Sequence, residues 1–123
     1  MILSALVTVF LLIAVALVGY MAYLFWTNPD RGLAETTHRI EKLPYVLADR
    51  YTAFAVLGAG MLVFGDFPII TVYFLAGTIM GLADGMIYAR AGHPHLKHTA
   101  SGILSALAMI VTAVAWAMTP TGG

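Results

Sequence analysis

The chain has 123 residues, of which 61% are hydrophobic and 10% are charged, and its formal net charge is zero. A soluble domain carries charge on about a quarter of its residues, so this composition predicts an outer surface that faces lipid. The zero net charge argues against a nucleic-acid partner, and the absence of cysteine excludes disulfides, thiolate metal sites and cysteine nucleophiles.

The sequence contains four apolar segments, and a helix crosses a bilayer with roughly 20 apolar residues. The first segment, residues 2–26, has no charged side chain. It lacks a basic region ahead of it and is longer than a signal-peptide core, so we interpret it as a retained span. Pro44 and Pro68 stand near the start of the second and third segments, where proline is favoured. Within a single transmembrane domain of residues 1–123, the predicted helices cover residues 2–26, 44–65, 67–90 and 94–118.

The connection between the first and second segments is the longest, and residues 33–43 within it are amphipathic. Leu33, Thr37, Ile40 and Leu43 recur at helical spacing, with charged residues between them. This pattern predicts a short helix lying in the lipid headgroup region. The expected fold is therefore all-α: an integral membrane four-helix transmembrane bundle with one interfacial amphipathic helix.

The six basic residues are confined to two connections. Four follow the first span and two follow the third. Cytoplasmic connections of membrane proteins carry an excess of lysine and arginine. We therefore predict that both basic connections face the cytoplasm and that both chain ends lie outside, in a bacterial inner or plasma membrane.

Three polar side chains on different helices are expected at one level, just inside the cytoplasmic surface. Asp84 precedes Arg90 by six residues, about 9 Å along a helix. Arg50 lies six residues after Pro44, and His98 lies near the start of the fourth predicted helix. Charged groups within a membrane usually turn toward other helices and pair. A cluster of an acid, a cation and an imidazole is therefore predicted.

The face of the third helix that carries Asp84 is predicted to pack against neighbours. Gly77 and Gly81 lie four residues apart, a spacing that permits close approach of helix backbones, and Tyr88 shares their face. The predicted ligand-binding residues are Arg50, Asp84, His98, Tyr88 and Gly81, with Asp84 and His98 as the candidate acid and base.

The histidines between the third and fourth helices raise the alternative of a metal site, because imidazole is a common ligand. Pro94 separates His93 from the others, so that only His95 and His98 share a helix face as metal candidates. No metal and no cofactor is therefore predicted. His93 is instead expected to cap the fourth helix, with Pro94 opening it.

Three segments of the chain resemble a family of small four-helix integral membrane proteins of unknown function: "NPDRGLAE", "ADRYTAFAVLGAGMLVFGD" and "GLADGMIYARAGHPHLKHTASG". The chain is also distantly similar to small four-helix quinone-associated membrane proteins. The resemblance implies a four-helix membrane fold and a ligand-sized cavity, and it implies no particular reaction. The positions that match the family are Pro29, Arg50, Gly58, Asp84 and His98.

Two functions of different kinds are consistent with these features. The leading hypothesis is a site for a small lipophilic molecule, with Arg50, Asp84 and His98 at its polar end. Isomerisation or cyclisation with Asp84 as general acid would suit such a site, and whether any turnover occurs is left open. The alternative is a structural or accessory subunit, within a homo-oligomer or a membrane complex, whose polar cluster only fixes helix packing. A transporter built from oligomers is the third reading.

Overall fold

The computed structural model describes residues 2–120, which fold into helices joined by short connections. The helices are α1 (Ile2–Thr27), α2 (Pro29–Glu35), α3 (Leu43–Phe64), α4 (Phe67–Arg90) and α5 (Leu96–Met118), with a 3-10 turn at Ile40–Lys42 before α3. Four of these helices are long and apolar enough to cross a membrane. The all-α prediction with four such helices is therefore confirmed. The chain ends, which are predicted to lie outside, fall beyond the described residues.

The chain divides into two compact units, Met1–Arg50 and Tyr51–Gly123. The boundary falls inside α3, and the single transmembrane domain stays a prediction. The first unit contains α1, α2 and the start of α3, and the second contains the rest of α3 with α4 and α5.

The helix between the first two spans differs from the one predicted at 33–43. It covers Pro29–Glu35, because the side chain of Asn28 accepts a hydrogen bond from the first turn and proline suits the first helical position. The chain then leaves helical geometry at Thr37, whose φ of 58° is uncommon for a β-branched residue. The amphipathic pattern is thus divided between α2 and the turn Ile40–Lys42.

In the first unit, α2 folds back along the end of α1. Gly32 lies against the ring of Phe25, so closely that an added Cβ would stand 2.8 Å from a ring carbon. The hydroxyl of Tyr20 donates a hydrogen bond of 3.0 Å to Glu35, and Nε of Arg31 donates one of 2.7 Å to the other carboxylate oxygen. Two contacts therefore attach the short helix to α1, and the hydrogen bond from Arg31 holds the Glu35 carboxylate in place within α2.

The predicted bounds of α4 agree with the structure. Its first turn is stabilised by Asp66, whose side chain accepts a hydrogen bond of 3.2 Å from the backbone N–H of Ile69. After Arg90 the chain turns at Gly92, whose φ of 73° is the left-handed conformation that commonly ends helices.

The start of α5 differs from the prediction. The helix begins at Leu96 with His95 as its N-cap residue, rather than at Pro94 with His93 as the cap. The ring of His95 bonds the hydroxyl of Thr99 at 3.1 Å, which ties the residue before the helix to its first turn.

Glycines allow α4 and α5 to pack with their backbones in contact. A Cβ added to Gly81 would collide with the backbone nitrogen of Gly102, and one added to Gly102 would stand 2.6 Å from the backbone nitrogen of Leu82. One turn farther along α4, a Cβ added to Gly85 would collide with the hydroxyl of Thr99 and would stand 3.1 Å from its backbone nitrogen. Close packing of small residues is a principal source of helix association in a bilayer, so this face fixes the α4–α5 pair.

The part of α3 in the second unit contacts α4 through a tyrosine. The hydroxyl of Tyr73 donates a hydrogen bond of 3.1 Å to the backbone carbonyl of Phe54, and the two ring centroids lie 5.1 Å apart. The hydroxyl fits against Gly58, where an added Cβ would stand 2.8 Å from it.

Candidate functional site

The second unit contains an open groove of about 400 Å³ along the α4–α5 pair. Its volume lies within the range of small-molecule sites, which is about 300–1,000 Å³. The groove is lined by Tyr51, Phe54, Tyr73, Phe74, Gly77, Met80, Gly81, Asp84, Lys97, His98, Ser101 and Ser105.

The groove has a polar end formed by Asp84 and His98. Oδ2 of Asp84 lies 3.8 Å from Nδ1 of His98, and the two side chains keep 47% and 37% of their exposure. The ring of Tyr88 stacks on the imidazole, with centroids 4.9 Å apart and planes 17° from parallel. The carboxylate and the aromatic ring together restrict the imidazole to one orientation.

The opposite end of the groove is aromatic. Tyr73 and Phe74 contribute neighbouring rings with centroids 5.5 Å apart, and Phe54 stands beside Tyr73. Tyr73 precedes Asp84 by eleven residues, so the two ends are separated by about 16 Å of helix. The groove is therefore long, with polarity concentrated at one end.

Between these two ends, the α5 side of the groove carries different residues from the α4 side. On α5, Ser101 and Ser105 follow His98 at helical spacing and line the groove with hydroxyls. On α4, Gly77 and Gly81 lie directly against α5, because a Cβ added to Gly77 would stand 3.0 Å from the Ser105 hydroxyl and one added to Gly81 would collide with the backbone of Gly102. The groove therefore runs along the surface of the α4–α5 pair and does not pass between the two helices.

Four of the predicted ligand-binding residues lie in the second unit. Asp84, His98 and Tyr88 come together as described, and Gly81 lines the groove while its backbone contacts α5. Arg50 is exposed on α3 and belongs to the first unit. Its pairing with Asp84 stays a prediction.

The expected cluster is half-exposed rather than buried. Among residues 2–120, no charged or polar side chain is buried, because the acid and the imidazole lie in an open groove and not inside the helix pair. Within that same range, no group of three or more His, Asp or Glu side chains is arranged to hold a metal ion. His95, one of the two metal candidates, bonds Thr99 instead.

Some residues of the site were missed by reasoning from sequence. Gly85, which packs against α5 beside the groove, extends the spacing of four that Gly77 and Gly81 had already indicated, so the pattern was available. Ser101 was also available, because it lies three residues after His98 on the same face. Lys97 gave no signal, since its neighbours in sequence suggested only a position at the membrane surface.

Comparisons with protein-family models, with curated proteins and with solved structures find no match to this chain. The resemblance to small four-helix membrane proteins therefore depends on the sequence motifs alone.

Proposed function

We propose that the protein is an integral membrane protein that binds a small lipophilic molecule in the groove along α4 and α5. Asp84 and His98 hold the polar end of this molecule, and the aromatic end of the groove receives its apolar body. The observation that carries the proposal is the position of an acid and an imidazole at one end of a long cavity. Acid–base chemistry at this end, with Asp84 and His98 as the candidate acid and base, is the reaction class that these groups suit.

The packing of α4 and α5 favours this proposal over a purely structural role for the polar pair. The register of the two helices follows from Gly81 against Gly102 and from Gly85 against Thr99. A half-exposed ion pair contributes only about 0–1 kcal/mol to stability. Asp84 and His98 are therefore not needed to fix the packing. An accessory subunit remains the alternative that the experiment below tests.

In the proposed arrangement the groove lies near the cytoplasmic leaflet. Arg90 and Lys97 flank its polar end along the chain, and basic residues favour the cytoplasmic side. The lipid bilayer is the proposed first partner of the chain, and the chain ends are proposed to lie outside.

The proposal predicts that a lipophilic molecule is retained by the purified chain and released by changes at the polar end. Native mass spectrometry of protein extracted in mild detergent should show the adduct in the wild type. Asp84→Asn and His98→Gln should each reduce its occupancy about tenfold, because a hydrogen bond to a charged group contributes about 1.5–3 kcal/mol. The melting temperature of both variants should stay within about 2 °C of the wild type.

The matched control is Asp66→Asn, which makes the same chemical change outside the groove. Asparagine caps helices as well as aspartate does, so this variant should keep both the fold and the adduct. An Asp84→Asn variant that melts several degrees lower, and is rescued by also neutralising Arg50, would support the accessory-subunit alternative. A wild-type protein that carries no lipophile but holds a stoichiometric protein partner would refute ligand binding.

A further inference from the structure

The groove differs from a general lipid-binding surface in the charges at its polar end. Asp84 supplies an acid, whereas Lys97 and His98 supply a cation and an imidazole on the facing helix. An anionic headgroup would be attracted by Lys97 and repelled by Asp84, and a cationic headgroup would experience the reverse. Like charges placed together cost several kcal/mol in a complex, so both kinds of charged headgroup meet one unfavourable neighbour.

A hydroxyl group suits this end better than a charged group. The 3.8 Å between Oδ2 of Asp84 and Nδ1 of His98 exceeds the 2.7–3.2 Å of a hydrogen bond from nitrogen. One oxygen atom placed beside both groups would lie within hydrogen-bond distance of each. A hydroxyl both donates and accepts, so it can bond the carboxylate and the imidazole together. The hydroxyls of Ser101 and Ser105 line the path that follows.

The size of the groove limits what is attached to this hydroxyl. At about 30 Å³ for each water-sized group, a volume of about 400 Å³ accommodates about 13 heavy atoms. This is the size of a headgroup with one hydrocarbon chain, and it suits one chain better than the two chains of a phospholipid. The aromatic rings at the far end, Phe54, Tyr73 and Phe74, suit an apolar tail.

We propose that the ligand of the groove is a neutral single-chain lipophilic alcohol, whose hydroxyl bridges Asp84 and His98. This inference rests on the proposed function and narrows it to one class of molecule. Asp84 lowers the affinity for anionic amphiphiles of equal length, and Lys97 lowers the affinity for cationic ones.

The test compares three probes of about the size of the groove that differ only in their headgroups: tritiated 1-dodecanol, dodecanoic acid and dodecylamine. Binding to the chain in nanodiscs is measured by scintillation proximity, with empty nanodiscs as background. The wild type should bind the alcohol about tenfold more tightly than either charged probe. Equal or tighter binding of the acid or the amine would overturn the inference.

Two variants should change the selectivity in opposite directions. Asp84→Asn removes the anion and should raise the affinity for the acid relative to the alcohol. Lys97→Gln removes the cation and should raise the affinity for the amine relative to the alcohol. A rise in the absolute affinity for the acid in Asp84→Asn, or for the amine in Lys97→Gln, cannot arise from a damaged site, so these gains identify a specific one. Unchanged selectivity in both variants would also overturn the inference.

Failure of this inference is distinguishable from failure of the proposed function. If no probe binds above background while the native protein still carries a lipophilic adduct that Asp84→Asn releases, the ligand class is wrong and the binding function stands. If neither a probe nor an adduct binds, both are wrong.

Discussion

At Gly81 the backbones of α4 and α5 approach so closely that a single methyl group has no room. The atom it would meet is the backbone nitrogen of Gly102, which cannot rotate away as the end of a side chain can. Gly81 therefore both lines the groove and provides the close contact between α4 and α5.

Gly81→Ala should consequently destabilise the protein, although alanine is the better helix former. Forcing a methyl group into a packed contact costs about 1–3 kcal/mol, and we expect a lower melting temperature in detergent. The control is Gly60→Ala on α3, where an added Cβ meets nothing within 4 Å. That variant should be neutral or more stable by up to about 1 kcal/mol. Equal melting temperatures for the two variants would contradict the packing described here.

Single residues show what the sequence can predict of the site. The convergence of Asp84 and His98 was expected, because both residues lie a similar number of residues from the connection between the third and fourth helices and therefore at a similar depth in the membrane. Their exposure was not expected: insertion costs suggest that charged groups turn inward, whereas here they face an open groove. Sequence spacing gives depth along a helix, but the degree of burial depends on how neighbouring helices pack.

The element that differs most from expectation is α2, which Glu35 attaches to α1. The hydrogen bond from Arg31, and then that from Tyr20, hold the pKa of Glu35 below its usual value, and Glu35 in turn raises the pKa of Arg31. A lowered folded-state pKa stabilises the ionised form. The attachment is therefore complete above the ordinary glutamate pKa of about 4.3 and is lost as pH falls through the lowered value.

Glu35→Gln should loosen α2 at neutral pH, because the carboxylate that accepts both hydrogen bonds is lost. Hydrogen exchange of the α2 amides, followed by mass spectrometry, should be faster in this variant than in the wild type. In acid, after correction for intrinsic rates, the wild type should lose protection while the variant changes little. Glu41→Gln, in the turn Ile40–Lys42, should behave as the wild type, and loss of protection there would refute the assigned role of Glu35.

Helix ends were predictable where a local signal was unambiguous. The start of α4 follows from Asp66 as N-cap and Pro68 in the first turn, and both are readable from sequence. The start of α5 was misjudged because proline suggested a helix start at residue 94, whereas the His95–Thr99 contact places it later. The break at Thr37 carried no signal, since nothing in its neighbours predicts a left-handed backbone.

At the scale of the whole molecule, the distribution of basic residues predicts how the chain crosses the membrane. The chain has no cysteine, so single cysteines can report the side of each connection. Phe64→Cys should react with a membrane-impermeant maleimide in intact cells, because the α3–α4 connection is predicted to lie outside. Ile40→Cys and His93→Cys should react only after the membrane is opened. All three wild-type side chains are exposed.

The reverse labelling pattern would place the polar end of the groove on the outer side. In that case the binding proposal would stand, whereas the cytoplasmic orientation would be wrong. Labelling of all three positions in intact cells, with intact membranes verified, would contradict the membrane topology itself.

The contact made by Tyr73 has a consequence for how a hydrophobic guest reaches the groove. Whereas α4 and α5 meet backbone to backbone, α3 meets α4 through a phenol that donates to the carbonyl of Phe54 and lies in the space left by Gly58. The side chain of Tyr73 can rotate about its χ1 and χ2 bonds, and its hydroxyl can return to the space beside Gly58. Rotation of Tyr73 out of this recess would therefore widen the aromatic end of the groove toward the acyl chains. A molecule dissolved in the bilayer could then arrive without passing through water.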